Sequence, residues 1–144
     1  MRRMFPFILL LAGALLPGGC AWPGMNGRDG VIVHISSGAD NPQRVLMALN
    51  MAVNMSADRD VLVYMDVKGI EVALKDSQNL TYAQFSFSRD QIKKLVDKGV
   101  GVYACPDCLS AAGKTQDDLL PGVKIAEKDA FFFFTSGRII TLDY

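Results

Sequence analysis

Three short apolar runs, Val31–Ile35 (VIVHI), Val61–Met65 (VLVYM) and Val100–Ala104 (VGVYA), most constrain what this chain can fold into. Each is rich in β-branched residues and too short for a buried helix, so each reads as a strand. Between them, apolar residues recur at helical spacing. Val45, Leu46, Leu49, Ala52 and Val53 mark one helix running to about Ser56, and Ile92, Leu95 and Val96 mark another over Arg89–Lys98. Near-continuous apolar strands that alternate with helices belong to a parallel sheet covered on both faces. The expectation is therefore an α/β fold, a three-layer parallel-sheet sandwich with flavodoxin-like winding.

Local signals punctuate this pattern. Asn41 caps the first helix with Pro42 at its first position, and Ser88 is expected to cap the second, which Gly99 ends. Gly69–Leu74 suits a short helix. Lys75–Ser86 is an irregular excursion, long enough to be a lid or an interface loop. Beyond the third run, Val123–Ala126 reads as a brief strand, Glu127–Thr135 as a short helix ended by Gly137, and Ile139–Leu142 as a last strand. In a parallel sheet of this type sites lie outside the carboxyl ends of the strands. Ser36–Asp40, Asp66–Gly69 and Cys105–Cys108 all belong at that end.

The start of the chain reads as something other than fold. Arg2 and Arg3, the apolar run Phe7–Leu16 and the small-residue stretch Pro17-Gly18-Gly19-Cys20 have the form of a secretory signal. The apolar run is about half of the roughly 20 residues that a spanning helix needs. Gly19-Cys20 resembles the end of a bacterial lipoprotein signal, in which Cys20 is lipidated and becomes the mature N-terminus. Pro17 stands where that pattern has Leu, which leaves ordinary cleavage after Ala21 as the rival. Residues 1–20 are thus expected to be a signal, 21–30 a flexible tether and 31–144 one domain, exported to the periplasm and anchored to the membrane by lipid at Cys20. Without Arg2 and Arg3 the chain has 13 basic and 15 acidic residues, with no basic run, which argues against a nucleic-acid partner.

The chemistry is concentrated in GVYACPDCLSAAG, Gly101–Gly113. Cys105 ends a strand and stands at the N-cap of the next helix, with Pro106 at its first position and Asp107 suited to the positive end of the dipole. Unpaired backbone donors there favour the thiolate, so Cys105 is expected to be the more acidic and more exposed thiol, and Cys108 the more buried. The rival readings of this CxxC are a structural disulfide, a pair of small buried residues, or half of a zinc site. A full four-ligand zinc site would need carboxylates or a second subunit, because His34 is the single histidine. No metal or other cofactor is expected.

The remaining candidates have plain alternatives. His34 within its strand suits a packed or hydrogen-bonded residue. Met47, Met51 and Met55 repeat every fourth residue and suit a core or subunit interface better than a copper stripe. The tetrad Phe131–Phe134 sweeps a full helical turn, so part of it should be buried and part should meet a neighbouring subunit. Lys114 is a candidate anion contact, with a surface lysine as its base case.

Taken in order, the opening VIVHISSGADNPQRVLMALNMA, the second strand with DVKGIEVAL, the cysteine block and the closing LLPGVKIAEKDAFFFF resemble the DsrE/DsrF/TusD-like family of small sulfur-relay proteins over Val31–Tyr144. Cys105 and Gly113 have the spacing of the family's active cysteine and following glycine, and Cys108 matches a second cysteine of some branches. The resemblance implies a DsrE-like parallel α/β sandwich assembled as a trimer or hexamer. It also implies a persulfide carried on Cys105 and passed between sulfur donor and acceptor proteins, with Cys108 as the resolving partner. The other activities open to the same residues are dithiol–disulfide exchange and a non-catalytic binding module.

Overall fold

A computed structural model describes residues 27–144. Cys20, the signal and most of the tether lie outside the described residues. In chain order the elements are strand β1 (Gly30–Ile35), helix α1 (Pro42–Met55), β2 (Asp60–Met65), α2 (Ser88–Asp97), β3 (Gly101–Ala104), α3 (Pro106–Ala111), β4 (Lys124–Ile125), α4 (Ala130–Phe133) and β5 (Ile139–Asp143). Gly69–Ala73 and Gln116–Asp118 form 3₁₀ turns. The strands make one parallel sheet in the order β4-β3-β2-β1-β5.

The expected α/β class is the observed one. Each of the three apolar runs is a strand, and the alternation inside them sorts the two faces. Val31, Val33, Ile35, Val61, Val63, Met65, Val102 and Ala104 point to one side. There they pack with Val45, Leu46, Leu49, Ala52 and Val53 of α1, Ile92 and Leu95 of α2, and Leu109 of α3. At about 25 cal/mol per Å² of apolar surface, this single cluster supplies most of the driving force for folding.

The winding differs from the flavodoxin order 2-1-3-4-5. The crossovers from β1 through β4 all run in one direction, which places α1, α2 and α3 together on one face. Only the return from β4 to β5 puts a helix on the other face. That third layer is one turn, α4, so the helical cover is uneven. Residues 127–135, read as a helix from sequence, are helical only over Ala130–Phe133. Ile32, His34, Tyr64 and Tyr103 on this face are half-buried, and Leu62 alone among its strand residues after Gly30 is fully buried.

Helix starts follow local chemistry, with one correction. Asn41 Oδ1 accepts the Arg44 N–H at 3.3 Å, and Pro42 opens α1 as expected. Ser88 does not cap α2, because its hydroxyl is buried and turned back to the Leu80 N–H and Asn79. Asn79 is the acceptor instead, taking the Arg89 N–H at 3.0 Å from ten positions upstream.

Candidate functional site

Parallel strands bring their carboxyl ends to one edge, and the three loops expected there do meet. Asp66 N–H donates to Ile35 O at 3.2 Å, and Cys105 N–H to Met65 O at 2.8 Å, so each loop hangs on the end of the neighbouring strand. Gly69 lies against the Ile35 carbonyl so closely that a Cβ there would stand 2.0 Å from its oxygen, which only glycine permits. Lys68 pairs with Asp40 at 2.7 Å across the first two loops.

Cys105 is the N-cap of α3 and Pro106 its first residue, as the sequence implies. The Cys105 sulfur accepts the Cys108 N–H at 3.4 Å. The Asp107 N–H, the Tyr64 phenol and the Cys108 thiol also face it. Burial raises the thiol's pKa, but these donors, led by Tyr64, outweigh it and hold Cys105 below the ordinary 9.0. Cys108 goes the other way. Its proton is engaged by Cys105, and burial and the negative charges of Cys105 and Asp66 push it up, against one stabilising N–H from Val67. That Val67 N–H meets the Cys108 sulfur at 3.2 Å. Both thiols are free and both are half-buried, so Cys108 is not the fully buried partner and Cys105 is not the fully exposed one. The contrast between them is in hydrogen bonding.

The sequence reading misses Tyr64 and takes His34 only as a packed or hydrogen-bonded residue. Tyr64 stands on β2 in register with Tyr103 of β3, the strand that Cys105 follows. Burial and the neighbouring Cys105 raise its pKa well above the ordinary tyrosine value, so the phenol stays protonated and can serve as a donor. His34, in register with Tyr64, stacks on it with ring centroids 5.6 Å apart and planes at 26°. Phe131 of α4 packs edge-on against the other side of Tyr64 at 5.0 Å.

His34 is packed and hydrogen-bonded, as its sequence context suggests, and it also stands between two carboxylates. Its Nδ1 lies 2.6 Å from Asp143 Oδ1 on β5, and its Nε2 lies 2.8 Å from Asp66 Oδ1. The second contact is close enough for ion pairing but not aligned as a hydrogen bond, and both its atoms are shielded from solvent. Burial opposes the charged ring, yet the two carboxylates outweigh it and raise the pKa above 6.5.

Other candidates lie outside this arrangement. Lys114 is tied to Asp76 at 2.5 Å and lines a cavity of about 290 Å³ with Ala39, Glu71 and Leu74, which the cysteines do not reach. Met47 and Met51 face solvent from α1, while Met55 packs at the edge of the core. Phe131 and Phe134 are half-buried; Phe132 and Phe133 are 68% and 81% exposed. Among the described residues no group of three or more His, Cys, Asp or Glu is placed to hold a metal ion.

Comparison with known proteins places this geometry in context. No curated protein matches the chain. Among solved structures it is similar to MTH1491 from Methanobacterium thermoautotrophicum, a protein of unknown function, with 24% identity and a TM-score of 0.60 over 80% of this chain and 99% of that one. It is also similar to the ychN protein from E. coli, with 12% identity and a TM-score of 0.61 over 80% of this chain and 98% of that one. Both likenesses are of fold. The model of the DsrE/DsrF-like family matches residues 29–135, nearly all of the sheet and the whole cysteine block, and the chain belongs to that family.

Proposed function

We propose that the protein handles sulfane sulfur, with Cys105 as the accepting thiolate and Cys108 as the thiol that resolves it. The observation that carries this reading is the unequal pair. Cys105 is surrounded by donors that stabilise its anion, and the thiol of Cys108 stands beside it with a raised pKa. Only the thiolate is nucleophilic, so near neutral pH the first attack belongs to Cys105.

The steps balance without a cofactor. The Cys105 thiolate attacks the terminal sulfur of R–S–SH, a bond forms between the two sulfurs, and the S–S bond of the donor breaks. The leaving group R–S⁻ takes the electron pair, and Cys105 carries –S–SH. An acceptor thiolate can attack the outer sulfur, which restores the Cys105 thiolate. Alternatively, deprotonated Cys108 attacks the Cys105 sulfur, closes a Cys105–Cys108 disulfide and expels HS⁻; a dithiol reductant then reopens the pair. Tyr64, as a neutral donor, stabilises the Cys105 anion at the start and end of each cycle. In the same reading the domain is exported, tethered through lipid on Cys20, and works as a homo-oligomer with donor and acceptor proteins in the periplasm.

Loading with polysulfide, desalting and adding an acceptor thiol tests the assignment. The wild type is expected to deliver sulfur, Cys105→Ser to deliver none, and Cys108→Ser to load but release little sulfide unaided. Full delivery by Cys105→Ser contradicts the proposal. Disulfide exchange at the wild-type rate without any persulfide favours the dithiol oxidoreductase reading instead.

A further inference from the structure

We propose that His34, held as an imidazolium between Asp143 and Asp66, is the positioning residue for Cys108, fixing the turn whose backbone N–H grips the Cys108 sulfur. This rests on the functional reading only for the name given to Cys108; the mechanical link stands on the geometry. His34 Nε2 meets Asp66 Oδ1 at 2.8 Å, and the next residue, Val67, donates its N–H to Cys108 at 3.2 Å. One side chain thus reaches the sulfur through a single residue of backbone.

The turn needs holding. Val67 has φ 47°, a left-handed conformation that is strained for a β-branched residue, and it is 63% exposed. Its own side chain therefore adds little to keep it in place. The restraints fall on Asp66, through its N–H to Ile35 O at 3.2 Å, the Gly69 N–H on its carbonyl at 2.6 Å, and the carboxylate against His34. Of these only the last can be switched.

A carboxylate beside each ring nitrogen favours the doubly protonated ring, because a neutral imidazole leaves one nitrogen without a proton next to a carboxylate oxygen. Asp143 comes from edge strand β5, Asp66 follows β2, Tyr64 on β2 stacks beneath the ring, and Cys105 and Cys108 stand across the turn. Among the described residues no lysine or arginine pairs with Asp66 or Asp143. The imidazolium is therefore their charge partner. When it loses its proton, the Asp66 contact becomes repulsive, the strained turn relaxes, and Cys108 loses its N–H donor.

The test follows both ends of this link by NMR in the reduced full-length protein. The Val67 amide is expected to titrate in step with the His34 ring, with a midpoint above 6.5. Asp143→Asn, at an exposed edge position, should move both midpoints together to lower pH. His34→Gln should remove the Val67 transition and the matching inflection in the pH profile of Cys108 alkylation. A Val67 amide that stays flat while His34 titrates, or midpoints that separate in Asp143→Asn, overturns the proposal. Sulfur loading at Cys105 reads the functional assignment separately, so the two can fail independently.

Discussion

At the scale of residues, two identical side chains three positions apart are made unequal by what points at them. The local part of that difference is legible in the sequence: Pro106 fixes the helix start, and a strand ending in Cys105 presents its sulfur to the first turn. The rest is not legible, because Tyr64 reaches Cys105 and His34 reaches Asp143 only through sheet register across long sequence gaps. The partner of Cys108 is hidden for the same reason, since Val67 meets its sulfur from 41 positions away. Tyr64→Phe keeps the ring that His34 and Phe131 pack on but removes a donor from the thiolate. Its Cys105 alkylation profile is expected to shift to higher pH with little loss of stability; an unchanged profile would remove Tyr64 from the site. His34 also makes a prediction for folding. Its pKa is raised in the folded state, so its stabilising contribution is full below 6.5 and is lost as pH rises through the folded value. Denaturation midpoints of the wild type should therefore fall across that window, and those of His34→Gln should fall less.

At the scale of elements, strands were read more surely than caps. A run such as VLVYM has few ways to be satisfied other than as a buried parallel strand, and α1 declares itself through Asn41, Pro42 and five regularly spaced apolar residues. The start of α2 was misassigned because Ser88 and Asn79 both have the chemistry of a cap, and only the folded excursion decides between them. With Ser88 buried, Asn79 takes the Arg89 N–H and the Ser88 hydroxyl. Asn79→Ala strands both donors and is expected to cost about 1–2 kcal/mol in chemical denaturation, as loss of an N-cap does. Ser88→Ala should show the buried-hydroxyl penalty without loss of the helix. The sequence suggests a helix over 127–135, but only Ala130–Phe133 is helical. In the structure, only Phe131 and Phe134 find partners on the sheet, Tyr64 and the Gly30 backbone.

At the scale of the whole molecule, the strand order leaves one face thinly covered, which composition alone could not reveal. Phe132 and Phe133 on α4 are exposed, and so are Ile139 and Ile140, which alternate across the two faces of edge strand β5. Apolar surface of this kind marks an interface more often than a bare exterior. An oligomer is expected in solution, a trimer or a multiple of three as the family resemblance implies, and Phe133→Lys should shift light scattering toward monomer while leaving the α/β circular dichroism in place. The anchor is a separate expectation of the N-terminal sequence: Cys20→Ala should leave an unprocessed or mislocalised precursor, and a soluble mature chain beginning at Trp22 would decide for ordinary cleavage. None of this surrounding architecture matters to sulfur chemistry unless the two thiols differ in the intact protein. Reduced wild-type protein treated with limiting iodoacetamide below neutral pH, then mapped by mass spectrometry, measures that difference directly. Label is expected first at Cys105, with Cys108 following only as pH rises; equal labelling of both cysteines, or earlier labelling of Cys108, would contradict the assignment of Cys105 as the attacking thiolate.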